Sequence, residues 1–347
     1  MKVHALLATS LALASCVAAD DEEVATATSS ITQQPACRPG RPVSIAWLGN
    51  DPGNTYDNAS LDASTAVAAA TRSTVTPFYA GFDPATQLAQ CRAAVRTHRY
   101  DALVVIPDDS VGIAGCVAEA RHRGIPVVAA DLPIGPDLTT VEPQVPGQAG
   151  AVLVPPADFG SSLAALVVDA CGARSPCDVA YIAGSFDVAF DQIALADLDA
   201  AAAAHPSIHI VHRDQAFYDA TLAYGIAQTI LADDPQIQII IGAGDQMAQG
   251  VESAVADAGR TPGAIQIIGA GAGAYGVQAV RDGRWYATFV TLPADEGDLV
   301  ARIAIEAARH HPIRDRGINP VEARGWPAFF TAANQALFVG FVPQWPG

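Results

Sequence analysis

YDALVVIPDDSVGIAGCVAEARHRGIPVVAADLP, residues 100–133, contains a complete strand-helix-strand unit. Residues 102–106 form a short apolar, β-branched run, residues 110–123 carry helical spacing, and residues 125–130 form a second apolar run. Both strands are continuously apolar rather than alternating, which suits a parallel sheet covered by helices on both faces. The unit therefore reads as a right-handed βαβ crossover. Pro107-Asp108-Asp109 and Asp131-Leu132-Pro133 follow the carboxyl ends of the two strands, the edge where open α/β sheets place their ligands. Asp109 and Ser110 read first as helix N-caps, whereas Asp131 has no helix just behind it and is more open to a binding role.

The alternation extends in both directions. Upstream, residues 43–48 (VSIAWL) read as the first strand, followed by a turn-rich loop over 49–56, a helix over 59–70, a strand over 75–79 and a helix over 84–98. Downstream, the Pro- and Gly-rich stretch 134–150 carries no periodicity, and strand-like 151–154 leads into Pro155-Pro156. A domain boundary is expected there. Helices over 158–171, 188–204, 219–232 and 246–258 then alternate with strands over 178–183, 208–213, 237–241 and 265–268, which predicts a second parallel sheet. A strand over 285–290 and a helix to about residue 310 precede the tail.

The chain has 347 residues, half of them hydrophobic, enough for two packed domains. A formal net charge of −17 argues against nucleic acid and anionic membrane surfaces as partners, because both would repel it. A small molecule or a protein is expected instead. Lys2 and His4 precede an apolar run over 5–14, too short to span a bilayer but suited to a secretory signal. That run ends in Leu13-Ala14-Ser15-Cys16, which resembles the lipobox of bacterial lipoproteins. The resemblance implies a signal peptide over 1–16, cleaved before Cys16, with lipidation of that residue; an ordinary signal cut near Ala18-Ala19 is the alternative. Residues 17–36, acidic and then Ser/Thr-rich, read as a flexible tether.

Export gives the cysteines a meaning. In an oxidising compartment Cys171 and Cys177 can close a small loop, and Cys91 and Cys116, in helices flanking one strand, can also pair, leaving Cys37 over. No CxxC spacing occurs and no His lies close to the pairs, so neither a metal site nor a cofactor is expected. His310-His311 reads as a solvated helix end. The glycine-rich IIGAGAGAYG, residues 267–276, lacks the Lys-Ser/Thr of a phosphate loop and meets the dinucleotide spacing only loosely. It reads as a ligand-facing turn. With no GxSxG elbow, HExxH or P-loop, turnover is not expected.

In this order and spacing the elements resemble the type I periplasmic solute-binding proteins, the ribose- and galactose-binding family, over about residues 42–340. The most specific local matches are the 244–250 turn (GDQMAQG), the strand end VAAD at 128–131 and YATFVTLP at 286–293. The resemblance implies two doubly wound parallel-sheet lobes joined by three crossovers, near residues 153–156, 291–294 and 324–327. The first lobe would comprise 37–154 plus 294–325, and the second 155–292 plus 326–347. Hinge closure would trap a ligand between the strand ends. It further implies a monomer in the periplasm, held to a membrane through its lipid, handing a small-molecule ligand to the permease of an ABC importer. A sensor kinase is the alternative recipient, and a purely structural lipoprotein ranks last.

This sequence departs from the family where sugars are gripped. Leu132 follows Asp131 where the sugar-binding members carry Arg, Phe190 stands for a second Arg, Gly244 for an Asn, Gly271 for an Asp, and Thr291 where Gln is common. The expected ligand is therefore more apolar or cyclic than a simple pentose or hexose, with a cationic or donor-rich end facing acids. Candidate ligand-binding residues are Asn50, Asn54, Tyr56, Asp131, Phe186, Phe190, Phe217, Tyr218, Asp245, Tyr275 and Thr291. Phe186, Phe190 and Phe217 read equally as core or lobe-interface aromatics, and Asp187, Asp219 and Asp245 as helix caps.

Overall fold

The computed structural model describes residues 40–347. The expected leader ending at Cys16, the tether over 17–36 and the unpaired Cys37 lie outside the described residues. From there the chain runs β1 (Ser44–Gly49), α1 (Thr55–Ala70), β2 (Thr74–Tyr79), α2 (Pro84–Arg96), β3 (Ala102–Val105), α3 (Ala114–His122), β4 (Val127–Asp131) and β5 (Gln148–Leu153). It continues through α4 (Pro156–Cys171), β6 (Cys177–Ala183), α5 (Ala189–Ala204), β7 (Ile208–Gln215), α6 (Ala220–Asp233), β8 (Ile239–Gly242), α7 (Asp245–Asp257), β9 (Gln266–Gly271), α8 (Ala274–Arg281) and β10 (Ala287–Val290). It then adds α9 (Pro293–Ala308), β11 (Gly317–Ile318) and β12 (Phe329–Thr331).

Two sheets result, ordered β11-β5-β4-β3-β1-β2 and β12-β10-β9-β8-β6-β7. Every strand pair is parallel except β10 with β12. The continuous apolar runs explain this: β3 and β8 are buried along their whole length, as strands covered on both faces must be. The chain passes between the sheets three times, after β5, after β10 and after β11, so the two-lobed doubly wound architecture with three crossovers is the observed one. In each sheet the order reverses beside the first strand, between β1 and β3 and between β6 and β8. Such switch points open a crevice at the strand ends.

Helix α9 follows β10 in the chain but packs on the first sheet, with Val300, Ala301 and Ala304 in the core beside Val104 and Val128. Gly297 lets α9 approach α1, since a Cβ there would lie 2.0 Å from the Ser60 carbonyl oxygen. Both expected disulfides are present: Cys91–Cys116 ties α2 to α3, and Cys171–Cys177 ties the end of α4 to the start of β6. Among the described residues no helix is long and apolar enough to cross a membrane.

Local chemistry shifts several boundaries. The helix expected from Ser110 begins at Ala114, because the Asp109 carboxylate accepts from the N–H groups of Val111 and Gly112 and holds a preceding turn (both 2.9 Å). The first helix begins earlier than expected, at Thr55, with Asn54 as its N-cap. Asp219 caps α6 by accepting from the Leu222 N–H. Asp187 does not cap α5, whose N-cap is Val188, and Asp245 is the first residue of α7 rather than its cap.

Candidate functional site

The strand ends of the first lobe meet in one hydrogen-bonded cluster. After β1, the Asn50 N–H donates to Asp57 Oδ2 (3.1 Å) and its side-chain amide donates to Asp108 Oδ1 (2.5 Å). Asn54 accepts from the Tyr56 N–H (3.0 Å) as a helix cap and donates to Asp57 Oδ1 (3.2 Å). The Tyr56 hydroxyl donates to Glu296 Oε2 (3.1 Å), and Ser60 donates to Glu296 Oε1 (2.9 Å). Asp131, at the end of β4, has φ +59°, a left-handed conformation that Asp tolerates better than most residues.

The second lobe faces this cluster with Val188 and Phe190 at the start of α5, Tyr218 after β7, Gly244 and Gln246 around the start of α7, and the end of β9. Gln246 reaches across to Asn54 Oδ1 (3.4 Å), and Phe82 of the first lobe meets the Tyr218 ring at 5.5 Å. Between them lies a cavity that holds the centres of water-sized molecules over about 60 Å³. A single water needs roughly 10–15 Å³ by that measure, so the space suits a small ligand.

No Lys or Arg lines the cavity, whereas Asp57 and Asp131 do. Burial raises Asp131 to about 6, with the Tyr56 hydroxyl pulling it back down. Asp108, just behind, is also raised to about 6 by burial, against the Asn50 amide. Asp57 is pushed well above the ordinary carboxylate range by burial and by the charges of Asp131 and Asp108, although the Asn50 N–H opposes this. Glu296 is likewise raised well up, first by burial and then by the charge of Asp131. Crowded acids without a cation favour a visitor that donates hydrogen bonds or carries positive charge.

Of the predicted residues, Asn50, Asn54, Tyr56, Asp131, Phe190, Tyr218 and Thr291 line this one cavity. Four others do not. Phe186, Phe217 and Tyr275 are 40%, 41% and 39% exposed, and Tyr275 instead packs against the Arg284 guanidinium and bonds Glu252. Asp245 is sealed inside the second lobe, accepting from Thr288 Oγ1 (2.6 Å) and the Gly273 N–H (2.7 Å), so it ties the glycine-rich loop to β10. Lining residues absent from the prediction include Asp57, Phe82, Leu132, Gln246 and Trp345. Asp57 had a local signal, standing three residues after a capping Asn; Trp345 had none, because it arrives from the far end of the fold. Among the described residues no group of three or more His, Cys, Asp or Glu is placed to hold a metal ion.

Two lobes joined by crossovers, with strand ends converging on a cavity between them, are the architecture of a solute receptor. Residues 45–312 match the family model described as "Periplasmic binding protein domain", and the chain belongs to that family. Membership places it among binding proteins rather than enzymes. It is 28% identical over 210 residues to the D-allose-binding periplasmic protein of Escherichia coli K12, covering 60% of this chain and 66% of that protein. It is 24% identical over 227 residues to the xylitol-binding protein of Mycolicibacterium smegmatis, covering 65% of this chain and 60% of that protein. The matched stretches thus span less than two thirds of these relatives. An ABC transporter solute-binding protein from Mycobacterium smegmatis with bound glycerol superposes with a TM-score of 0.72 at 23% identity, over 87% of this chain and 99% of that one.

Proposed function

We propose that the protein is an extracytoplasmic solute receptor, tethered through a lipid on Cys16, that captures a small neutral or cationic polyol for an ABC importer. The observation that carries the ligand class is the cavity wall: acceptor-rich at Asn50, Asn54, Asp57 and Asp131, aromatic at Tyr56, Phe190, Tyr218 and Trp345, and free of cationic side chains. A negatively charged solute would meet the acids unpaired. A fully hydroxylated hexose would face the aromatic side with hydroxyls lacking partners, at about 1–3 kcal/mol each. A cyclic, deoxygenated or amine-bearing polyol suits both sides and is the expected ligand in place of a simple pentose or hexose. The name of the relative that binds xylitol supports the polyol class. The working unit in this reading is a monomer whose closed cleft docks on a permease; a sensor kinase would read the same closure.

A thermal-shift screen of the purified protein tests the reading, with neutral polyols, amino sugars and sugar acids as the compound sets. A ligand at a hundred times its Kd stabilises the folded state by about 2.7 kcal/mol. Shifts confined to neutral and amine-bearing polyols are expected. Shifts confined to sugar acids would overturn the ligand class.

A further inference from the structure

One wall of the cavity comes from a segment remote in the chain. The Gln344 carboxamide oxygen accepts from the N–H groups of Ala294 and Asp295 (both 3.0 Å), and its nitrogen donates to Asp295 Oδ1 (2.8 Å). That fastens the segment to the first turn of α9, on the first lobe. One residue on, the carbonyls of Trp345 and Pro346 accept from the N–H groups of Ala274 and Tyr275 (both 2.9 Å), the otherwise unpaired donors of the first turn of α8, on the second lobe. The strap is thus clipped to both lobes beside the cleft.

Between the two clips the Trp345 indole, 5% exposed, turns into the cavity wall. Its N–H donates to the Gly271 carbonyl (2.8 Å), and its ring meets Tyr56 of the first lobe edge-on, with centroids 5.7 Å apart. Gly271 is shaped for it: a Cβ there would lie 2.1 Å from the indole, and φ is +125°. Because the indole N–H is already engaged, Trp345 presents only carbon and π surface to the cavity. The hydrogen-bonding groups stand elsewhere, on Asn50, Asn54, Asp57, Asp131 and Gln246, whose Oε1 is buried without a partner.

We propose that the strap 344–346 is a specificity element of the cleft, in which Trp345 packs against the apolar C–H face of the bound polyol while the strand-end groups take its donors. The proposal rests on the cleft being the ligand site. It excludes ligands polar on every face and selects those with one apolar face.

Isothermal titration of the wild-type protein, Trp345→Ala and Trp345→Phe with myo-inositol, D-fucose, glucosamine and xylitol tests it. The panel member that binds the wild type most tightly is expected to bind Trp345→Ala at least about tenfold more weakly, with Trp345→Phe recovering most of the loss. A ligand-induced change in tryptophan emission is expected in the wild type and is lost in Trp345→Phe, which also serves if Trp345→Ala fails to fold. Unchanged affinity in the variants would overturn the strap's role and leave the cleft reading standing. Absence of binding by every panel member to the wild type would overturn both.

Discussion

Asp245 allows the effect of burial on this molecule to be measured at one atom pair. Its carboxylate is fully enclosed, and burial raises it from the ordinary 3.8 to about 7, although Thr288 and the Gly273 N–H pull it down. Between those values the native state keeps a proton that the unfolded chain has released. The contribution to stability is therefore complete near the unfolded value and is lost as pH rises towards 7. Over about three pH units, at about 1.4 kcal/mol each, the loss amounts to about 4 kcal/mol. Asp245→Asn keeps the shape and removes the titration. Urea unfolding followed by far-UV circular dichroism, from about pH 4.5 to 8, should show wild-type stability falling with pH and a flatter variant curve, so that the variant's deficit narrows or reverses at the alkaline end. Curves that stay parallel across that window would refute the assignment.

Other perturbations follow from single contacts. Gly271→Ala drives a methyl into the Trp345 indole at a backbone angle unsuited to Ala, and is expected to cost about 1–3 kcal/mol, read as a lower melting temperature with red-shifted tryptophan emission. Phe190→Ala removes a ring stacked on Phe159 at 3.8 Å and should cost about 2–3 kcal/mol while weakening ligand binding; loss of one effect without the other would separate its two roles. The Cys91→Ala/Cys116→Ala pair opens a loop with a sequence separation of 25 and is expected to cost about 3 kcal/mol in chemical unfolding, and reductant, which opens Cys171–Cys177 as well, should lower wild-type stability by at least as much.

The lobes were legible because their strands are continuously apolar and alternate with helices, three of which, α1, α2 and α6, start at an Asn or Asp side-chain cap. VSIAWL and ALVV could be placed without knowing anything distant. The cavity was most legible on the first lobe, where Asn50, Asn54, Tyr56 and Asp131 follow directly from strand ends, while Phe190, Tyr218 and Thr291 were the correct choices beyond it. On the second lobe the aromatic residues were harder to orient. Phe217 and Tyr218 are adjacent and both have positive φ, so the backbone turns one ring outward and the other into the cleft, a choice that residue type does not reveal. Asp245 stands at a helix start as a ligand group would, yet the Thr288 hydroxyl and the Gly273 N–H claim both of its oxygens from within the lobe. Trp345 depends on Gly271 being empty of side chain, a pairing across 74 residues that no local pattern encodes.

Titrating the wild-type protein and Asn54→Ala with myo-inositol, glucosamine and glucuronate in a calorimeter decides whether the interlobe cavity binds a neutral or cationic polyol. One site per chain is expected for a neutral or amine-bearing compound, with at least about tenfold weaker binding in Asn54→Ala and no measurable heat from glucuronate. Tighter binding of glucuronate than of the uncharged compound, or affinity indifferent to Asn54, would contradict this reading.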